Sequence, residues 1–355
     1  MPHSRPVLLS LIISPFAELN PHIIRIILVF ISSTTTIFVY FLSKTIFPSS
    51  KSLRIISSII WALYPPAIWY SGLILTEALT SLLLIITALT LIKLIYTHKS
   101  FPAIYVGISL GLLILTRSSY VFLPFALVSF SILSPYVFKK PLFTLNQCLL
   151  FIFTACIVTS PIIIRNYSSV QSFLPTETRL AYGLIMSNGD FKSTSIRQGG
   201  YDKNTEAMKK YSELQQQGVS FSDLNKAAKS ITIEQLRTNY NLLPEILMHR
   251  TINFWGPRPD PFDSEFTNND IIMVIIWAPI LLMFLFSFLW LRSIEFWLII
   301  GILAYVYLTS MIFWCSPRFR FPIDSFIIIL SVYSSNKLFL FLLPYFKYKQ
   351  LTTND

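Results

Sequence analysis

Glu77 stands between two apolar runs in Ser71-Gly72-Leu73-Ile74-Leu75-Thr76-Glu77, with almost no polar sequence around it. A carboxylate there is either a turn marker or an acid/base group at the mouth of a cavity, able to orient an acceptor or take its proton. Arg117, in Leu115-Thr116-Arg117-Ser118-Ser119, breaks an apolar run of similar character. Arg165 and Tyr167 end another, in Pro161-Ile162-Ile163-Ile164-Arg165-Asn166-Tyr167. The densest cluster is Pro317-Arg318-Phe319-Arg320-Phe321-Pro322-Ile323-Asp324, two arginines two residues apart between prolines. Arginine binds phosphate in a bidentate fork, so Arg117, Arg165, Arg318 and Arg320 are candidate contacts for a phosphate. Glu77 is the candidate acid/base, and Tyr167 and Asp324 are further candidates. His3, His22, His98 and His249 are scattered without ligand spacing, and no phosphate-binding glycine loop or Ser-His-Asp pattern is present. No cofactor is expected and no divalent-metal set is indicated.

The elements that must position these residues are set by composition. Of 355 residues 54% are hydrophobic and 13% charged, against about 25% charged in an average soluble domain. With 30 Phe, 10 Gly and a mean hydropathy of +0.61, the chain reads as an all-α polytopic membrane protein, not an ordinary soluble enzyme. The net charge of +11 lies outside residues 165–270, where 12 basic residues face 12 acidic ones. It therefore reads as a topology signal and not as a nucleic-acid surface. Cys148, Cys156 and Cys315 lie in or at the ends of apolar runs and read as small buried hydrophobes.

A spanning helix takes about 20 apolar residues. The expected spans are Ile26–Ser43, Ile55–Thr76, Ala78–Ile92, Ser100–Thr116, Ser118–Phe138, Pro141–Ile164, Ile271–Leu291, Phe296–Pro317 and Ile323–Phe346, nine in all, with Pro6–Leu19 as an interfacial segment. This divides the chain into a membrane block at 1–164, a soluble helical segment at 165–270, a second membrane block at 271–346 and a tail at 347–355. Lys44, Lys51, Arg54, Lys93, Lys99, Lys139, Lys140, Arg292, Lys337, Lys347 and Lys349 fall on one side, which the positive-inside rule makes cytoplasmic. Arg5, Arg25, Arg117, Arg318 and Arg320 fall on the other, with Glu77, Arg165 and Asp324. In the soluble segment, a loop around Gly183, Gly189, Gly199 and Gly200 is expected to precede helices at Asn204–Gln217 and Ser222–Leu242. Ser222 is the expected cap of the second, Gly218 the stop of the first, and Pro244 the start or kink of the next element. Ala227, Ala228, Ile231, Ile233 and Leu236 form an apolar face expected to pack on the membrane block.

Tyr64-Pro65-Pro66, Ser71-Gly72, Thr76-Glu77, Gly107 to Arg117, Pro161, Arg165-Asn166-Tyr167 and Arg318-Phe319-Arg320-Phe321-Pro322, in that order, resemble the bacterial members of glycosyltransferase family 39. These are GT-C-fold enzymes related to protein O-mannosyltransferases and lipid A aminoarabinose transferases. Ala227–Ile233, Pro244 and Phe254-Trp255 add to the resemblance, which runs from about Arg5 to Pro344. It implies a GT-C-like bundle with an extracytoplasmic segment in a bacterial inner membrane, its C-terminus cytoplasmic. It further implies sugar transfer from a polyprenyl-phosphate donor to a lipid, glycan or protein acceptor, with a carboxylate activating the acceptor and arginines holding the leaving phosphate. Membrane lipids are the other expected partners. Family members begin with one more membrane helix and an outer loop bearing an Asp or Glu base. Here the acid in the corresponding stretch is Glu18, at a different place. An inactive remnant that binds the donor lipid and a lipid-linked sugar transporter are the alternatives.

Overall fold

Runs of Ile, Leu, Phe and Val punctuated by proline and by hydroxyl caps produce helices. The computed structural model describes residues 7–16, 18, 20–97, 99–139, 141–171, 173–174, 180–258 and 267–352, and no strand occurs among them. The first block holds α1 (Val7–Ile13), α2 (Pro21–Ile46), α3 (Lys51–Ala62), α4 (Pro65–Ser71), α5 (Glu77–Thr97), α6 (Pro102–Thr116), α7 (Leu123–Leu133), α8 (Pro135–Phe138) and α9 (Leu145–Val170). An insertion comes next: α10 (Leu180–Asn188), α11 (Thr194–Arg197), α12 (Glu206–Gln216), α13 (Phe221–Thr238) and α14 (Leu243–Trp255). The last three helices are α15 (Asn268–Trp290), α16 (Ile294–Met311) and α17 (Pro317–Thr352). The expected flanking residues Arg5 and Lys140 and the histidine His98 lie outside the described residues, as do residues 353–355 of the expected tail.

Seven helical segments are long and apolar enough to cross a membrane, which makes this an all-α polytopic membrane protein: Pro21–Ile46, Glu77–Thr97, Ser118–Phe138, Leu145–Ser169, Asn268–Trp290, Ile294–Met311 and Pro317–Leu343. Their outward faces are apolar, with Phe30, Phe125, Leu145, Ile164, Ile275, Leu308 and Phe341 all exposed. Such a surface requires an apolar solvent.

Two expected spans differ. Ile55–Thr76 is not one helix but α3 and α4 with a break at Tyr64, because Pro65 and Pro66 lack amide donors and hold Tyr64 in an extended conformation (φ −67°, ψ 117°). Ser100–Thr116 yields only the 15-residue α6, shorter than any of those seven segments. Gly107 and Gly111 lie one turn apart on α6 against α9. A β-carbon at Gly107 would stand 2.5 Å from Thr154 Cβ, and one at Gly111 would stand 2.6 Å from Val158 Cβ. The two backbones thus approach as closely as a small-residue seam allows. Elsewhere helices overrun the expected limits: α5 passes Lys93 to Thr97, α9 passes residue 164 to Val170, and α17 passes residue 346.

Short connections make α5 and α6, and α15, α16 and α17, run alternately up and down. The N-termini of α5 and α17 meet through Glu77 and Arg318, and the C-terminal ends of α6 and α9 meet through Leu115 and Ile162, packed with Val7 of α1. The charged candidates therefore lie toward one end of the bundle.

Of the expected glycine loop, Gly183 lies within α10, whereas Gly189, Gly199 and Gly200 lie outside helices. The helix over Asn204–Gln217 forms as α12, and Gly218 succeeds its last turn with φ +73°, a conformation suited to glycine. Ser220, not Ser222, caps α13, its hydroxyl accepting from the Asp223 amide. Leu224 and Ala228 of α13 bury against Ala181, Ile185, Met208 and Tyr211, so this face packs on α10 and α12 instead of on the membrane helices. Ile233 and Leu236 remain exposed.

Candidate functional site

Glu77 is the first residue of α5, where a carboxylate complements the unpaired amides of a helix start. It is fully buried. Its Oε1 accepts from Arg318 Nε at 2.5 Å, while Oε2 has no hydrogen-bond partner among the described residues. Arg318 sits in the first turn of α17, which opens with Pro317, so the stretch between the two expected spans is helical. Its side chain is nearly half exposed, and its terminal nitrogens form no hydrogen bond to described residues. Arg117 ends α6 in an extended conformation and lays its guanidinium over the Phe319 ring, 5.2 Å from the centroid. Tyr120 and Tyr70 complete the surroundings: Tyr120 lies within electrostatic reach of Arg117 and Glu77, and Tyr70 within reach of Glu77 and Arg318.

Arg320 and Asp324 occupy another place. Residues two apart on a helix point about 200° apart, so Arg318 and Arg320 start from different sides of α17. Arg320 faces Asp324, one turn on, with Nε 2.9 Å from Oδ1, both side chains being 1% exposed. Its Nη1 donates to the Phe254 and Gly256 carbonyls at 2.8 and 2.7 Å, and the guanidinium lies 3.6 Å from the centre of the Trp277 ring. The Tyr64 hydroxyl donates to Asp324 Oδ2 at 2.9 Å. Arg320 Nε and Nη1 and both Asp324 oxygens are thus engaged by protein partners. The group is a buried latch that fastens the end of α14 and the α3–α4 break to α17.

Arg165 donates to the Asn166 side chain, whose amide reaches the Leu174 carbonyl, and exposed Tyr167 packs tilted against Phe173, ring centres 4.6 Å apart. Both stand at the same end of the bundle. Neither contacts Glu77 or Arg318 in the structure, so the assembled group is Glu77, Arg318 and Arg117.

The loop between α16 and α17 aims Arg318, and the insertion clamps that loop. Arg250 of α14 donates to the Met311 and Ser187 carbonyls at 2.7 and 2.6 Å, Asn188 donates to the Ile312 carbonyl at 2.9 Å, and the Cys315 amide donates to the Gly199 carbonyl at 3.1 Å. Burial lowers the Arg250 pKa to about 10, which leaves it charged at neutral pH. Gly199 has φ +81°, and a β-carbon there would strike the Arg250 amide at 2.8 Å. Arg250 is not among the residues that the sequence singles out. Its signal is the spacing Ile246, Arg250, Asn253, Phe254, which puts an arginine on the buried side of a helix. Phe319 and Trp277, which carry Arg117 and Arg320, give no signal apart from being aromatic.

Among the described residues no group of three or more His, Cys, Asp or Glu side chains could hold a metal ion. Compared with protein-family models, with curated proteins and with solved structures, the chain matches none.

Proposed function

We propose that this protein is a GT-C-like glycosyltransferase of the bacterial inner membrane that moves a sugar from a polyprenyl-phosphate donor to a lipid, glycan or protein acceptor. In this reading α6 and the broken α3–α4 pair also cross, giving nine spans. Residues 165–270 lie outside the membrane, on its extracytoplasmic face, and the C-terminus is cytoplasmic. The observation that carries the reading is the Glu77 carboxylate, fully buried, with one oxygen held by Arg318 and the other free. A fixed carboxylate whose second oxygen lacks a hydrogen-bond partner among the described residues can take a proton from an acceptor hydroxyl that reaches it, as the acceptor oxygen attacks the anomeric carbon. The bond from that carbon to the phosphate oxygen breaks, and the charge left on the lipid phosphate falls to the exposed nitrogens of Arg318 and to Arg117.

The test uses membranes containing the protein and a radiolabelled polyprenyl-phosphate sugar, scoring label in the acceptor fraction. Glu77→Gln is expected to lower transfer at least about 100-fold, the usual contribution of a positioned base. Transfer by Glu77→Gln at the rate of the unaltered protein would overturn the assignment. Label carried across the bilayer without a new glycosidic bond would point to transport instead.

A further inference from the structure

The last helix of the insertion is patterned inside out. The side of α14 that packs on protein carries Arg250 and Asn253 beside Ile246 and Phe254. Its open side presents Leu247, Met248 and Ile252, which are 37%, 54% and 56% exposed, at spacings that keep them in one stripe without a charge. Water-facing helices show the opposite order.

A second observation fixes the depth. Thr251 Oγ1 lies 2.8 Å from the Tyr307 hydroxyl, and Tyr307 lies within the crossing segment Ile294–Met311. One turn further, the Trp255 ring stacks on Phe284 of the crossing segment Asn268–Trp290, their planes 16° apart and their centres 6.1 Å apart. The second half of α14 thus runs alongside two membrane helices. Its stripe continues the apolar surface of Leu308 on α16 and of Ile312 just past its end, both exposed. At 13 residues α14 is about 20 Å long, too short to cross a core of about 30 Å.

We infer that α14 is sunk into the bilayer from the Glu77 end of the bundle, with Leu247, Met248 and Ile252 in contact with lipid acyl chains. The continuity of that stripe with the outer surface of α16 selects lipid as the occupant. Arg250, turned inward onto carbonyls, is what allows a helix containing an arginine to lie at that depth. This inference does not depend on the activity proposed above.

The test places a nitroxide at Met248→Cys and at Ile252→Cys in protein whose three native cysteines are replaced by serine, reconstituted in phosphatidylcholine–phosphatidylglycerol vesicles. Lys229→Cys on α13 is the aqueous reference. Oxygen is expected to relax both labels on α14 more strongly than a water-soluble nickel chelate does, with the reverse at 229. Nickel access at 248 and 252 equal to that at 229 would overturn the inference, as would protection from both reagents, which would mean that another protein surface covers the stripe. The unaltered protein gives a second measurement, free of folding defects. A lipid-soluble diazirine activated in the same vesicles should label the Leu247–Ile252 peptide as heavily as peptides from α16, and absence of label there would also overturn it.

Discussion

Glu77 and Arg318 meet at 2.5 Å across 241 residues of sequence, the carboxylate fully buried and the guanidinium nearly half exposed. The exchange is unequal. Losing Glu77 leaves an arginine that water can solvate, whereas losing Arg318 leaves a buried carboxylate alone.

Arg318→Ala is therefore expected to destabilise the protein by about 1–3 kcal/mol, more than Glu77→Gln does. In the double variant the loss should fall below that of Arg318→Ala alone. Thermal unfolding in detergent of all four proteins measures this. Equal and additive effects would mean that the pair is not coupled.

The latch makes a different prediction. Arg320→Ala strands Asp324 and two carbonyls inside the protein and is expected to cost about 3–5 kcal/mol. Tyr64→Phe removes one hydrogen bond and should cost about 1 kcal/mol. Arg320→Lys should not rescue, since an ammonium cannot keep the Nε contact to Asp324 together with both carbonyls and the Trp277 face. Unfolding midpoints rank the three, and rescue by lysine would show that charge alone holds the latch.

The seam between α6 and α9 should tolerate nothing larger than glycine. Gly107→Val puts carbon into space held by Thr154 and the Phe151 carbonyl, and overpacking of that kind costs about 1–3 kcal/mol. Cysteines placed at Leu115 and Ile162, which pack together at the ends of the same two helices, report the separation of the helices. A Gly107→Val protein that cross-links at the unaltered rate and unfolds at the unaltered temperature would refute the close approach.

Cys315 supplies a pH dependence. Burial pushes its thiol from 9.0 up to about 12, so in folded protein it stays protonated where the unfolded chain already ionises. The unfolded state gains from that ionisation, and stability is expected to fall as pH rises from about 9 to about 12. Cys315→Ser should remove this component. Maleimide at pH 8 should leave Cys315 unmodified until the protein unfolds, which mass spectrometry of the labelled peptide reads directly.

The helical membrane character is legible in the sequence because exclusion from water is written into composition. Glu77 and Arg318 are legible for a related reason, since charges that interrupt long apolar runs are conspicuous. The division of labour between Arg318 and Arg320 is not. It depends on Pro317 starting a helix there, while flanking prolines point equally well to a loop. The break at Tyr64 is carried by Pro65 and Pro66, yet an uninterrupted lack of charge from Ile55 to Thr76 outweighs it. The packing of α13 on α10 stays hidden because an apolar stripe says that a face is covered, not by what.

The two arginines of α17 also limit how this stretch of chain can change length. Each residue turns a helix by about 100° and advances it about 1.5 Å. An insertion between Arg318 and Arg320 cannot leave both bearings intact: one arginine must swing away from Glu77, or the other from the Phe254 and Gly256 carbonyls. The loop before Pro317 offers little slack for compensation, being pinned at Ile312 and Cys315. Length variation in this region is thus expected to be lethal to the fold or to the Glu77 contact, even where every side chain is retained.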